Sequence, residues 1–263
     1  MSKVLLVILG TPLLLFDASL LVQYQLSPWS TARDLAASYP YLDRIPIVPP
    51  DKSVAILQGE RIERFGFSMH LPWKDIYRDT TLQDVALISS NNGGAIEIHP
   101  ASARHDSGAT MRLMADEVPA LRDNQSLRTN YALTVAAMGA KPAQVKWWKT
   151  RGQNAKDVNL LLMKLLVESD CQGPLYAIQF GEMRGFQPGN PSAAPYCAKL
   201  DLFDGADRLY EIRIDEYPER APVITQAEIN AMVASVRPIS PQLPNTTVLK
   251  NDKSFIISML RRT

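Results

Sequence analysis

Cysteine and histidine are scarce in this chain, with two cysteines and three histidines among 263 residues. Metal centres draw their ligands from tight groups of these residue types, such as the i, i+4 histidines of a zinc helix. His99 and His105 sit near Glu97 and Asp106, but a six-residue step from a strand into a loop has no such logic, and His70 stands apart. They read as surface polar residues, and no metal is expected. Glycine-rich phosphate loops are missing too: there is no GxGxxG and no GxxxxGK(S/T), so no nucleotide cofactor is expected. Gly66-Phe67-Ser68-Met69-His70 lacks the second glycine of a nucleophile elbow. Cys197 lies on a polar strand face with Lys199 and Asp201, and no base stands beside it in sequence. No catalytic residue is therefore assigned, and an enzyme is the less favoured reading. An excess of one charge is also absent. Lys and Arg number 28 against 27 Asp and Glu, which excludes the basic footprint of a nucleic-acid partner.

What the chain does have is an apolar leader. Met1-Ser2-Lys3 opens into a run from Val4 to Val22 whose one charge is Asp17. A helix rising ~1.5 Å per residue needs about 20 apolar residues to cross a ~30 Å hydrocarbon core. The run is just long enough, and Asp17 falls toward its end, where a charge costs less than at the centre. Residues 1–26 are read as an uncleaved membrane anchor, with the membrane contacted through residues 4–22 and the bulk of the chain extracytoplasmic. Two alternatives stand beside it. Lys3 with Val4–Phe16 also fits a cleavable export signal, with Ser30-Thr31-Ala32 as the best cut and a secreted product. A buried N-terminal helix of a soluble domain is the third.

Residues 27–52 read as a stalk, because Pro40, Pro46, Pro49 and Pro50 favour extended chain. An α+β domain is expected over 53–240, followed by a tail over 241–263. Val54–Leu57 and Ile62–Leu71 read as strands around Gln58-Gly59-Glu60. Val85–Ser90 and Ala95–His99 flank Asn91-Asn92-Gly93-Gly94, a strong hairpin signal that points Ile96 and Ile98 inward. The middle, 106–168, reads as helical. Ser126–Met138 ends at Gly139, and Val158–Val167 is apolar on all sides except Asn159 and Lys164, the pattern of a core helix too short to span a bilayer. Strands resume at Leu175–Phe180, Tyr196–Phe203 and Arg208–Ile214. Thr225-Gln226-Ala227-Glu228 is a capping box opening a helix whose Ile229, Met232, Val233 and Val236 face the core. Strand runs with helices between and after them predict an α+β fold: a mostly antiparallel sheet flanked by helices, preceded by one N-terminal transmembrane or signal helix.

The cysteines test this reading. If Leu175–Phe180 and Tyr196–Phe203 are consecutive strands with Phe180 opposite Tyr196, Cys171 is level with Gly205 and lies roughly 26 Å from Cys197 at ~3.3 Å per residue. A bridge needs Cα atoms within ~7 Å. Free thiols are therefore expected; a disulfide would require a different register or a folded-back segment. The connection between those strands, residues 181–195, is long for a hairpin, and long loops carry function more often than short ones. Its Arg184, Phe186 and Gln187 form a charged, aromatic and amide set suited to a ligand or a protein partner. Trp147-Trp148, flanked by Lys146, Lys149 and Arg151, reads as part core and part partner contact, with stacking on bases or resting at a membrane interface as the alternatives.

Phe65-Gly-Phe-Ser-Met-His-Leu-Pro-Trp73 resembles the opening strand of PsbP-like domains. Ile224-Thr-Gln-Ala-Glu-Ile-Asn-Ala-Met-Val-Ala-Ser-Val-Arg237, following a strand at Leu209–Ile214, resembles their final helix. The resemblance covers roughly 54–104 and 172–240, and uncharacterised anchored or secreted bacterial proteins share the pattern. It implies an antiparallel sheet flanked by helices and a binding role, with no chemistry attached. Two functions stand as expectations: a membrane-tethered extracytoplasmic domain that binds a small molecule or protein partner or acts as a scaffold, or an envelope enzyme with an unrecognised site.

Overall fold

Strand alternation in the second half of the chain builds the centre of the fold. The computed structural model describes residues 27–39, 42, 47–48, 53–82, 85–99, 107–168, 171, 174–190, 197–216 and 224–239. In it β7 (Leu175–Phe180), β8 (Met183–Asn190), β9 (Cys197–Phe203) and β10 (Leu209–Glu216) follow one another as an antiparallel meander. Beyond β10 lie β6 (Gly94–His99), β5 (Ala86–Ser90) and β4 (Ile76–Thr81). At the other edge the two-residue β1 (Ile47–Val48) joins β7 in parallel, giving the order β1-β7-β8-β9-β10-β6-β5-β4. A small second sheet has the order β11 (Arg237–Pro238), β3 (Phe67–His70), β2 (Arg61–Arg64).

Because side chains alternate along a strand, each face of the large sheet meets a different layer. Ile96, Ile98, Leu200, Leu202, Ile212 and Ile214 point to one side. There they bury Phe67 and Met69 of the small sheet and Ile229, Met232 and Val233 of helix α6 (Gln226–Ser235). Phe67 and Tyr210 meet edge to face at 5.0 Å across this layer. Leu175 and Phe186 point to the other side, into a helical layer. That layer holds α1 (residues 27–38), α2 (Ser107–Asp116), α3 (Pro119–Arg122), α4 (Asn130–Met138) and α5 (Arg151–Glu168). The fold is thus α+β, with mostly antiparallel sheets flanked by helices. Among the described residues no helix is long and apolar enough to cross a membrane. The leader (1–26), His105 and the tail (241–263) lie outside the described residues.

The hairpin at Asn91–Gly94 pairs β5 with β6, and Ile96 and Ile98 are fully buried. The capping box is formed: Thr225 Oγ1 accepts from the Glu228 N–H, and Glu228 Oε2 accepts from the Thr225 N–H at 2.7 Å. The stretch Ile62–Leu71 is not one strand. Phe65 and Gly66 both take positive φ (47° and 83°) and fold it into the β2–β3 hairpin. Gly66 was the signal, since consecutive positive φ values make the tight turns that join twisted strands. Val54–Leu57 forms no strand; Ala55 instead donates its N–H to the Ala227 carbonyl of α6. The helix expected over Ser126–Met138 breaks at Arg128, because Thr129 caps α4 by accepting from the Ala132 N–H.

The stalk expected over 27–52 enters the fold where it is described. Ala32, Leu35 and Leu42 are buried in the helical layer, with Trp29 packed against them. Buried Lys164 of α5 donates from Nζ to the carbonyls of Leu42 (3.1 Å) and Ala140 (3.3 Å). A lysine that looked like the polar exception on an apolar helix is the clasp that holds this segment down.

The free-thiol expectation is also corrected, because Cys171 and Cys197 are disulfide-bonded with Cα atoms 5.5 Å apart. Residues 181–182 make a two-residue turn with Gly181 at φ +57°, so β7 turns straight back into β8 with Phe180 opposite Met183. A whole strand is inserted where a loop was expected. It places the start of β7 and the start of β9 at the same end of the sheet, with Asn190 opposite Cys197. The bridge crosses above Gly189, which takes φ +90°; a Cβ there would lie 2.2 Å from the Cys197 carbonyl oxygen and 2.9 Å from Cys171 Cβ. Only glycine leaves that crossing open.

Candidate functional site

The strand that replaces the expected loop also separates the three residues read as a ligand set. Arg184 and Phe186 lie two apart on β8 and share the helical side of the sheet. Arg184 is exposed, with its guanidinium 4.0 Å from the Tyr131 ring centroid, and buried Phe186 stacks on the same ring at 6.3 Å. Gln187 points to the opposite face and is fully buried. Its amide exchanges hydrogen bonds with Gln226 (2.8 and 2.9 Å), and Gln226 donates to Asn230, whose Nδ2 donates to the Ser53 carbonyl. Gln187 therefore ties β8 to α6 and to the start of the domain. Arg184 and Phe186 support the docking of α4. The three do not form one site.

The histidines are likewise dispersed. His99 Nε2 lies 3.7 Å from Glu97 on β6, and His70 is exposed at the end of β3. Among the described residues no three His, Cys, Asp or Glu side chains come together as a metal site.

Two arrangements stand out instead. The first is a buried charge cluster. Lys199 on β9 lies 3.6 Å from Asp201 and 3.6 Å from Glu211 on β10, and all three are at least nine-tenths buried. Alternation puts Lys199 and Asp201 on the helical face, and antiparallel pairing sets Glu211 opposite Asp201. Buried charges persist where they are paired, since desolvation costs several kcal/mol per ion. The visible signal was the polar alternation Lys199, Asp201 in an otherwise apolar strand.

At the end of the same hairpin, Asp204 accepts from the Arg208 N–H (2.9 Å), Arg208 Nε (2.6 Å) and Tyr210 Oη (3.1 Å). Burial pushes the Asp204 carboxyl up, but these donors outweigh it and hold the group below its ordinary value. Burial, with the facing Asp204 charge, pushes Tyr210 up to about 12. Asp207, at φ +62°, accepts from the N–H groups of Asn130 (2.6 Å) and Tyr131 (2.9 Å). A carboxylate thus closes the positive end of α4 and joins the sheet to the helices. This corner is structural.

The second arrangement is on the surface. Trp147 and Trp148 are 63% and 65% exposed and meet edge to face at 5.6 Å. Their loop is held from beneath: buried Asn154, at the start of α5, accepts from the Lys146 N–H (3.2 Å) and donates to the Lys146 carbonyl (2.7 Å). Lys146 Nζ lies 5.7 Å from the Trp148 ring centroid, and Arg33 lies 5.9 Å from that of Trp29. A shallow, open groove of about 370 Å³ runs between α1 and this loop, lined by Trp29, Arg33, Lys146 and both tryptophans. Arg151 Nη1 donates to Ser27 Oγ at 3.0 Å, so the loop and the first described turn of the chain are neighbours.

No family model, curated protein or solved structure matches this chain.

Proposed function

We propose that the protein is a membrane-tethered extracytoplasmic domain that binds a partner or serves as a scaffold. The observation that carries this reading is the Cys171–Cys197 bridge, since disulfides form and persist in oxidising compartments. The leader supports the tether: Val4–Val22 has the length and apolarity of a membrane helix, and a signal-like start directs the downstream chain to the export machinery. Integration of 27–39 with the helical layer favours an uncleaved leader. A cut after Ala32 would remove Trp29 and split α1 at a buried residue. The same resemblance to PsbP-like domains that suggested a binding role remains part of this reading.

Fractionation with protease accessibility tests it. In wall-stripped cells, the chain should pellet with membranes and be digested by added protease while cytosolic markers survive. Its unreduced digest should contain the linked Cys171 and Cys197 peptides. A cytosolic, protease-protected chain with Met1 and two free thiols would overturn the reading.

The buried lysine between two carboxylates favours one second reading, an envelope enzyme built around Lys199. It requires a ligand that raises the melting temperature and is turned over, with both effects lost in Lys199→Met. Ligand stabilisation without turnover returns the protein to the binding class.

A further inference from the structure

We infer that the face carrying Trp147, Trp148, Lys146 and Arg33 rests on the membrane that holds the leader, with the two tryptophans in the headgroup layer and the cations on anionic lipid phosphates. This rests on the tether proposed above and adds the orientation of the domain on the bilayer.

The tether is short. Five residue steps separate Val22, the end of the apolar run, from Ser27. At full extension they span about 18 Å, and as continuing helix only about 7–8 Å. The headgroup region is itself roughly 5–8 Å deep on each side of the hydrocarbon core. Ser27 therefore cannot lie far from that layer, and Ser27 is hydrogen-bonded to Arg151, three residues beyond Trp148. Trp29 lines the same groove as Trp147 and Trp148.

The chemistry of the face suits the same layer. Tryptophan concentrates at membrane interfaces, where an apolar ring with one N–H donor finds both of its solvents. Two adjacent tryptophans at 63% and 65% exposure are unusual on a water-facing surface, where aromatics are normally covered. Arg33, Lys146, Lys149 and Arg151 surround them. Among the described residues that flank them, the acids are Asp34, exposed on α1, and Asp157, which is held by Lys149 at 3.0 Å. Cations thus outnumber acids on this face, the complement of an anionic lipid surface.

The face is also held in place. The Asn154 clamp on Lys146 fixes the loop, and the Lys149 N–H donates back to the Lys146 carbonyl at 3.1 Å. The pair is presented outward by a built turn.

The test uses the full chain reconstituted into vesicles of phosphatidylcholine, with or without phosphatidylglycerol, and carrying lipids brominated near the headgroup. Tryptophan fluorescence of the wild-type protein should be quenched, more strongly with phosphatidylglycerol. Trp147→Ala/Trp148→Ala should lose at least half of that quenching while staying carbonate-resistant and melting at the wild-type temperature. Arg33→Glu/Lys146→Glu should remove the dependence on phosphatidylglycerol. A protein that remains in the bilayer but is quenched equally with and without the pair overturns the inference and leaves the tether standing. So does a crosslinked dimer joined through the tryptophans, which assigns the face to a second copy. Extraction of the wild-type chain by carbonate overturns the tether, and this inference with it.

Discussion

On one face of the eight-stranded sheet, Phe67, Met69, Ile96, Ile98, Ile212 and Met232 are buried and meet through carbon. On the other face, long polar side chains reach across to backbone: Lys164 to Leu42 and Ala140, Asn154 to Lys146, and Asp207 to the first turn of α4. Apolar burial is non-directional and tolerates a simple alternating pattern, whereas a buried polar group must find its specific partner. The sandwich side is therefore held mainly by area, with the Gln187–Gln226–Asn230 bonds to the Ser53 carbonyl as its directed exception. The helical side, with its own apolar cluster, is given its arrangement by a few directed bonds.

The sharpest way to break this contrast is to empty the carbon side. Phe67→Ala should cost about 3–5 kcal/mol in urea unfolding, because a ring packed on Tyr210 leaves a cavity. A loss confined below about 1 kcal/mol would mean that this face does not hold the fold by area. Cys171→Ser/Cys197→Ser, which opens a link between residues 26 apart in sequence, should lower stability by about 3 kcal/mol. Comparing reduced and oxidised wild type by the same titration checks it.

On the polar side, Lys164→Ala leaves two buried carbonyls without their ammonium donor and should cost roughly 1–3 kcal/mol. Hydrogen exchange should show the loss first in α1 and around Leu42. Exchange that rises equally in β9 and β10 would erase the distinction between the faces. Asp207→Ala should cost about 1 kcal/mol, read as faster exchange at Asn130 and Tyr131.

The smallest effects are in pH. The Asp204 pKa is lowered on folding, so its stabilisation is present above the ordinary carboxylate value of 3.8 and is lost as pH falls through the folded value. Tyr210 is raised to about 12, so its contribution is complete below 10 and is lost as pH rises toward 12. Asp204→Asn should flatten the acid limb of the stability profile, and an unchanged limb would remove Asp204 from the account.

Legibility in the sequence divides along the same line. Ile96, Ile98, Tyr210, Ile212, Ile214 and the Thr225–Glu228 box announced themselves by period and capping chemistry, which are local. The β8 strand did not. Gly185, Pro188 and Gly189 gave it the composition of a loop, and the only sign of its turn was Gly181. Its ladder to β9 lacks pairs at Gln187 and Pro188, consistent with a proline that has no N–H to give. A loop has no faces, so in sequence Arg184, Phe186 and Gln187 form one set; on a strand, alternation sends Gln187 away from the other two. The roles of Lys164 and Asp207 were illegible because each is defined by a partner far along the chain.

The crossing of the disulfide over Gly189 gives the bridge a second meaning. With β9 paired directly to β7, the two thiols would stand roughly 26 Å apart, at ~3.3 Å per residue. In the folded sheet they meet with β8 lying between β7 and β9. The bridge thus ties the segment entering β7 to the start of β9 across the strand between them, a covalent staple beside the two rungs that the β8–β9 ladder lacks.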